Sequence, residues 1–222
     1  FAAPVTEEDQ LPPTQNVNRS GGGAPLVAVL HDVGLDLAGA LSPVDGGYRL
    51  ALDRANLEQG SLAARLANPA VLMVQGESIS LDALRFNVGS GSITATGTAG
   101  QALDMVVDIA ELPLSIANAV APDLGLSGTL NGRAVVSGQA DDPQVSFEAR
   151  GGGIGASAIA PFGIAPLTFN ASGSFADEVV TLDSLSANGS GGLAVSGSGR
   201  VPLAGNGLSV ALNGSAPLSL AN

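Results

Sequence analysis

The chain has 222 residues, a net charge of −12 and eight basic residues, all of them arginine. Because the arginines are scattered from Arg19 to Arg200 and form no basic patch, the sequence argues against nucleic-acid binding, which depends on neutralising phosphates. The chain contains no cysteine, which excludes disulfides, thiolate metal sites and cysteine nucleophiles.

The composition favours a β-protein built from small and aliphatic side chains. Apolar residues make up 45% of the chain, aromatic residues only 3%, and there are 31 glycines, about twice ordinary usage. Glycine inside a helix costs about 1 kcal/mol relative to alanine, so this abundance argues against a helical fold. The first residue is Phe1 and not methionine, and we expect the chain to be an internal segment of a longer protein.

Residues 1–24 have the composition of a disordered linker, with an acidic run, paired prolines and three consecutive glycines. Such segments bury too little apolar surface to order themselves. Residues 25–77 are predicted to be a first segment of strands, with a hairpin signal at Asp45-Gly46. Within that segment, the leucines of residues 57–68 fit one or two helical turns.

The clearest pattern is the alternation of apolar and polar side chains in residues 103–109, where Asp104 and Asp108 oppose four apolar residues. Successive side chains of a strand point to opposite faces, so this strand has one apolar and one wet face. Ile79, Leu81 and Ala83 are predicted to share a face in the same way. The residues predicted to line an apolar groove are Ile79, Leu81, Leu103, Met105, Val107, Ile109, Val145, Phe147, Phe169, Leu193, Val195, Leu208, Val210 and Leu212.

A long internal repeat divides the second half of the chain. Residues 81–97 match residues 182–197, and each copy later reaches a similar hexapeptide, PLSIAN at 113–118 and PLSLAN at 217–222. The copies begin about a hundred positions apart, far more than one coil of a solenoid. The predicted division is residues 78–222 as repeated strand units, with 81–118 resembling 182–222. One short helix, a plug or cap, is predicted at 113–120, between two prolines.

Residues 126–138, LSGTLNGRAVVSG, followed by DPQVSF at 142–147, resemble a recurring phrase of the TamB family. In that family an "sGxLxGxxxvxG" strand pair leads into "DPxv" and a further strand. The segment 189–197, followed by Val201-Pro202-Leu203, is similar to the residue pattern of strands in the same family. The resemblance covers roughly residues 25–222.

The resemblance implies a fold and a function. TamB-like and AsmA-like proteins of Gram-negative bacteria are anchored in the inner membrane by an N-terminal helix and cross the periplasm as a U-shaped sheet, a β-taco, with an apolar lining. They conduct phospholipids towards the outer membrane and support the assembly of outer-membrane proteins and autotransporters with a barrel partner, TamA. The resemblance therefore implies phospholipid acyl chains as partners, a TamA-like barrel reached through the parent protein, and a periplasmic location.

Elementary physics leads to a similar expectation. A sheet with one continuous apolar face must hide that face by packing on helices, by closing into a barrel or by folding lengthwise into a groove. Helical patterns are too few to cover it. We therefore expect an all-β fold, an elongated and curved antiparallel sheet folded lengthwise into an apolar groove, with at most one or two short helices. Acyl chains suit such a groove, because each buried methylene contributes about 0.8 kcal/mol.

Signals for catalysis or cofactors are weak, and we expect neither an enzyme nor a bound cofactor or metal. His31 is the only histidine, and zinc would need several such ligands. Asp141-Asp142 precedes a proline and fits a solvated turn. The loose dinucleotide fingerprint at 153–158 is followed by Pro161 instead of a helix. Phe147 and Phe169 are interpreted equally well as groove contacts or as part of a local core.

Two other classes of protein stay open. A surface adhesin or autotransporter passenger shares cysteine-poor strands rich in glycine, serine and asparagine, although its coils would repeat about every 20–30 residues. A compact soluble lipid-binding domain is the third possibility, and the long repeat argues against it.

Overall fold

The computed structural model describes residues 24–30, 34–59, 62–119, 121–203, 207 and 209–215, and for residues 24–30 and Gln59 it describes the backbone alone. The fold is all-β, as predicted: one curved antiparallel sheet that forms an apolar groove. Helical structure in the described residues is limited to four short 3₁₀ segments.

Fourteen strands follow one another in the described part of the chain. They are β1 (Ala24–Leu30), β2 (Gly34–Val44), β3 (Gly47–Gln59), β4 (Leu62–Leu66), β5 (Ala70–Gln75), β6 (Ser78–Val88), β7 (Gly91–Ala99), β8 (Ala102–Pro113), β9 (Ser127–Gln139), β10 (Asp142–Gly155), β11 (Leu167–Ala176), β12 (Val179–Asn188), β13 (Ala194–Pro202) and β14 (Ser209–Ser215). The 3₁₀ segments are Leu114–Ala119, Pro122–Leu124, Ala160–Phe162 and Ser190–Gly192.

The sheet is a meander, in which strands pair with their neighbours in sequence. Only β4 and β5 depart from this pattern, because together they fill one place between β3 and β6. β4 pairs with residues 56–59 of β3, and β5 pairs with residues 47–52 of the same strand. The fourteen strands therefore occupy thirteen places side by side.

The connections alternate between two rims, because consecutive strands run in opposite directions. Among the fully described connections, the tight rim contains the short turns at 45–46, 76–77, 100–101, 140–141 and 177–178. The described connections of the long rim are those at 89–90, 114–119 with 121–126, 156–166 and 189–193. All four 3₁₀ segments belong to the long rim.

Three neighbouring strand places carry an irregularity at the same height, which we call the crease. Asp53 is an extra residue in β3, residues 67–69 interrupt β4–β5, and Asp82-Ala83 in β6 stand opposite the single residue Thr96. A bulge bends its strand and increases the local twist. Aligned across adjacent strands, these irregularities bend the sheet.

The core is small and lies mostly at the crease. The buried apolar side chains of the described residues are Leu52, Ala55, Ala70 and Val88. The first two flank Asp53, and Ala70 directly follows the interruption of β4–β5. The main contacts between elements join sheet neighbours or the 3₁₀ segments beside β9, so strand pairing and same-face contacts, not a second layer, hold the fold together.

Two predictions of local structure are wrong, and one helix is confirmed. Residues 57–68 are not helical, because they contain the end of β3 and the whole of β4. Ala83 does not share a face with Leu81, because the bulge puts Leu84 there instead. The helix predicted at 113–120 is present as the 3₁₀ segment Leu114–Ala119.

Candidate functional site

One face of the sheet is apolar across almost all of its strands. Directly opposite residues of an antiparallel pair lie on the same face, so the register connects them into rows. The first row is Leu41, Leu50, Leu72, Leu81, Gly97, Met105, Val136, Val145, Phe175, Val180 and Val201.

Two further rows run parallel to the first. The second row is Leu84, Ala95, Val107, Ala134, Phe147, Gly173, Leu182, Gly199 and Val210. The third row is Leu66, Phe86, Ile93, Ile109, Gly132, Ala149, Ala171, Leu185, Gly197 and Leu212. No polar side chain interrupts any of the three rows, and we call this surface the apolar face.

The structure brings together twelve of the fourteen predicted groove residues on the apolar face. Those twelve are Ile79, Leu81, Leu103, Met105, Val107, Ile109, Val145, Phe147, Phe169, Val195, Val210 and Leu212. Leu193 lies on the long rim, immediately before β13. Leu208 falls outside the described residues.

The prediction missed apolar-face residues in the first strands. Leu35 and Leu37 in β2, and Leu50 and Leu52 in β3, are connected to the same surface by their register with each other and with β5. The signal was available, because each pair is separated by one residue, the spacing of a single strand face. Leu182 and Leu185 were missed for a different reason. A bulge at Asp183-Ser184 breaks the alternation there.

Glycines lie beneath the largest side chains of the apolar face. A Cβ placed on Gly173 would be 2.8 Å from Cζ of Phe147, and one on Gly151 would be 2.2 Å from Cε1 of Phe169. Each phenylalanine ring therefore covers the backbone of the adjacent strand. Small residues next to large ones thin this side of the sheet and allow it to curl inwards.

The apolar face is the concave one. Val135 and Val136 are adjacent residues of the same type on opposite faces of β9, yet Val135 is 38% exposed and Val136 is half-buried. The same alternation runs through β10, where Val145, Phe147 and Ala149 are half-buried between exposed polar neighbours. Since no second layer of described residues covers this face, its side chains shield one another across a concave surface.

The opposite, convex face is polar and carries the ion pairs of the described residues. Arg133 Nη1 donates to Asp108 Oδ1 at 2.9 Å across β8 and β9, and Glu148 stands opposite Arg133 on the other side. Ser172 and Ser184 hydroxyls hydrogen-bond at 2.8 Å further along the same row. Cross-strand pairs of this kind contribute roughly 0.2–1 kcal/mol each.

One titratable pair on the convex face has shifted pKa values. Arg54 Nε and Nη2 donate to the two carboxylate oxygens of Asp36 at 2.8 and 3.0 Å. These hydrogen bonds, with the charge of Arg54, lower the pKa of Asp36 below its ordinary value. The same contacts raise the pKa of Arg54. The pair is exposed and lies away from the apolar face, so we assign it to strand pairing and not to chemistry.

The two described sequence candidates for chemistry lie in separate connections of the sheet. Asp141-Asp142 lies at the exposed turn between β9 and β10, and the segment 153–158 ends β10 and enters a turn without a following α-helix. His31 falls outside the described residues. Within the part of the chain that is described, no group of three or more His, Asp or Glu side chains is placed to hold a metal.

Comparison with known proteins adds no relative. No family model, curated protein or solved structure matches the chain. None of the helical segments in the described residues is long and apolar enough to cross a membrane.

Proposed function

We propose that this chain is a segment of a lipid conduit, and that phospholipid acyl chains lie along its concave apolar face. The observation that carries the proposal is the set of three uninterrupted apolar rows, which extend over strand after strand of a sheet whose other face is polar. An apolar surface of this extent needs an occupant. Because no directional hydrogen bond holds such a guest, an acyl chain can slide from one strand to the next.

The length of the apolar face favours transport over the storage of one molecule. The apolar rows extend over twelve strand places, from β2 to β14, which at about 4.8 Å each gives a face on the order of 60 Å long. One leaflet of a bilayer has a hydrocarbon thickness of about 15 Å. The face is thus several acyl chains long, and lipids can occupy it in series.

The cellular setting follows from the TamB-like phrases at 126–138 and 142–147. We propose that the parent protein is anchored in the inner membrane of a Gram-negative bacterium, that this segment lies in the periplasm, and that lipids move towards the outer membrane. On the same basis, the parent would work with a TamA-like barrel in the assembly of outer-membrane proteins and autotransporters. The chain itself is proposed to have no catalytic role.

Adjacent valines of β8 give a matched test of the proposal. Val107 belongs to the second apolar row, whereas Val106 pairs with Thr96 and Val135 on the convex face. The protein and its Val107→Asp and Val106→Asp variants would be purified from a Gram-negative host, and their bound lipid extracted and quantified by mass spectrometry. We expect phospholipid on the wild-type chain, at least about a fivefold loss in Val107→Asp, because a carboxylate among acyl chains is strongly disfavoured, and no loss in Val106→Asp.

Circular dichroism would establish that both variants are folded. A wild-type chain purified without lipid would contradict the conduit and would favour the surface adhesin. Equal lipid on the two folded variants would contradict the assignment of acyl chains to the concave face.

A further inference from the structure

The two rims of the groove differ in charge. Six exposed acids lie at the tight rim, in or directly beside four of its turns: Asp45, Glu77, Asp141, Asp142, Asp177 and Glu178. In the described connections of the long rim, Asp123 is the single acid. The described connections of the long rim contain more residues than those of the tight rim, so the smaller number of acids in the long rim is not explained by its length.

The long rim is instead held together by hydrogen bonds and presents apolar side chains. Asn118 exchanges two hydrogen bonds with the backbone of Leu126, at 2.8 and 2.9 Å. Ser157 N donates to the carbonyl of Leu124 at 2.8 Å, and Ser190 N donates to that of Ile164 at 2.9 Å. Three successive connections are thereby joined, with Leu124 47% and Phe162 53% exposed.

The basic residues of the described chain are all on strands, on the convex face. Arg54, Arg65 and Arg133 form ion pairs there, and the register puts the remaining four, Arg49, Arg85, Arg150 and Arg200, opposite polar or convex-face partners. The described rim turns contain no arginine. A phosphate at the mouth of the groove therefore meets carboxylates on one side and apolar residues on the other.

We infer that the groove selects phospholipids whose headgroup carries no net negative charge, such as phosphatidylethanolamine, over anionic ones such as phosphatidylglycerol. This inference rests on the proposed function, because it requires acyl chains in the groove with their headgroups at its mouth. Because the strands run across the groove from one rim to the other, the tight rim borders the mouth of the groove along its length. Each headgroup at the mouth therefore lies beside the tight rim.

The spacing of the turns makes the fields of neighbouring acidic turns overlap. Turns two strands apart are separated by about 10 Å, and the Debye length at physiological salt is about 8 Å. The fields of the Asp141-Asp142 and Asp177-Glu178 turns therefore overlap, and a headgroup at this part of the rim lies within reach of several carboxylates. A zwitterionic headgroup presents an ammonium group to them, whereas a net anionic headgroup is repelled.

A charge-matched pair of variants tests the inference. The rim variant carries Asp141→Asn, Asp142→Asn, Asp177→Asn and Glu178→Gln. The control variant carries Asp82→Asn, Asp104→Asn, Glu148→Gln and Asp183→Asn, which removes the same number of charges from exposed positions within strands. Each protein is loaded from vesicles of equimolar phosphatidylethanolamine and phosphatidylglycerol with identical acyl chains, and the bound lipids are quantified by mass spectrometry.

We expect the wild-type and control proteins to enrich phosphatidylethanolamine about two- to fivefold at low salt. The enrichment should fall towards one in the rim variant, and in the wild type at about 0.5 M salt. Lipid bound in the supplied ratio, an enrichment of phosphatidylglycerol, or an unchanged ratio in the rim variant would each overturn the inference while leaving the conduit intact. Absence of bound lipid would overturn the proposed function itself.

Discussion

At the scale of single residues, several glycines of the apolar face leave no room for a side chain. Gly173 lies under the ring of Phe147, and a Cβ there would also be 2.2 Å from the carbonyl oxygen of Thr181. Gly152 pairs with Thr129 in the same sheet, yet its Cβ would meet nothing closer than 4.0 Å. Substituting each glycine in turn therefore distinguishes a steric requirement for glycine from the general effect of glycine on the flexibility of the chain.

Gly173→Ala should lower the free energy of unfolding by about 1–3 kcal/mol, because the new methyl group must displace backbone or ring atoms. Gly152→Ala should change it by less than about 1 kcal/mol, in the stabilising direction, because alanine restricts the unfolded chain. Urea unfolding measures both. Equal effects of the two substitutions would contradict the placement of Phe147 over Gly173.

The pair of Asp36 and Arg54 predicts a pH effect. Because the folded-state pKa of Asp36 is lowered, its contribution to stability is present above the unfolded pKa of about 3.9 and is lost as the pH falls through the folded value. In Arg54→Met the pKa of Asp36 should return towards its ordinary value. Carbon-detected NMR titration of the Asp36 carboxyl in both proteins measures this, and an identical pKa would show that Arg54 does not cause the shift.

At the scale of elements, the strands could be predicted from the sequence better than the bulges within them. Alternation in residues 103–109 identified β8 and its two faces, because a strand has a period of two whatever it pairs with. The alternation puts Ala83 on the wrong face because a bulge depends on the register with the partner strand, here with Thr96 of β7, and a local pattern does not contain that register. The crease is therefore a property of pairing, not of any one segment.

The segment 57–68 shows why the spacing of its leucines predicts the wrong secondary structure. Leu57, Leu62 and Leu66 have helix-like intervals, yet they belong to two strands joined by a connection. Leu57 is opposite Ala64, and Leu66 is opposite Phe86, so all three leucines still reach the apolar face. Their hydrophobic role was visible in the sequence, whereas their backbone conformation was set by neighbours that the local pattern does not include.

The 3₁₀ segment Leu114–Ala119 gives a prediction for the long rim. Asn118→Ala removes both side-chain hydrogen bonds to Leu126 and should destabilise this connection by about 1–3 kcal/mol. Hydrogen exchange of the Leu126 amide should accelerate, while the amides of β13 stay protected. Ser115→Ala, at an exposed position of the same segment, is the control. Unchanged exchange at Leu126 would exclude the bridging role of Asn118.

At the scale of the whole molecule, the proposed function depends on the absence, in the described residues, of a layer over the concave side of the sheet. An ordinary single-layer sheet would aggregate or unfold with such a surface. Here the crease and the glycine-backed side chains curl the surface on itself, and the polar convex face with its ion pairs meets water. The sequence predicted both faces and that the apolar one lines a groove, but not where the sheet bends, since the crease arises only when irregularities on neighbouring strands align.

A face several acyl chains long should hold more than one lipid. Native mass spectrometry of the purified chain should show a series of masses with increasing numbers of phospholipids, because the rows offer equivalent contacts from strand to strand. A single bound lipid at saturating supply would indicate a closed pocket and would favour a compact lipid-binding domain over a conduit.

The most direct test of the central claim is site-specific photocrosslinking to lipid. A photoreactive residue placed at position 107, on the apolar face, and separately at position 106, on the convex face, samples the two sides of β8 one residue apart. With radiolabelled phospholipid in the cell, we predict strong crosslinks from position 107 and only background from position 106. Equal labelling at both positions, or labelling at neither in a folded protein, would contradict the account.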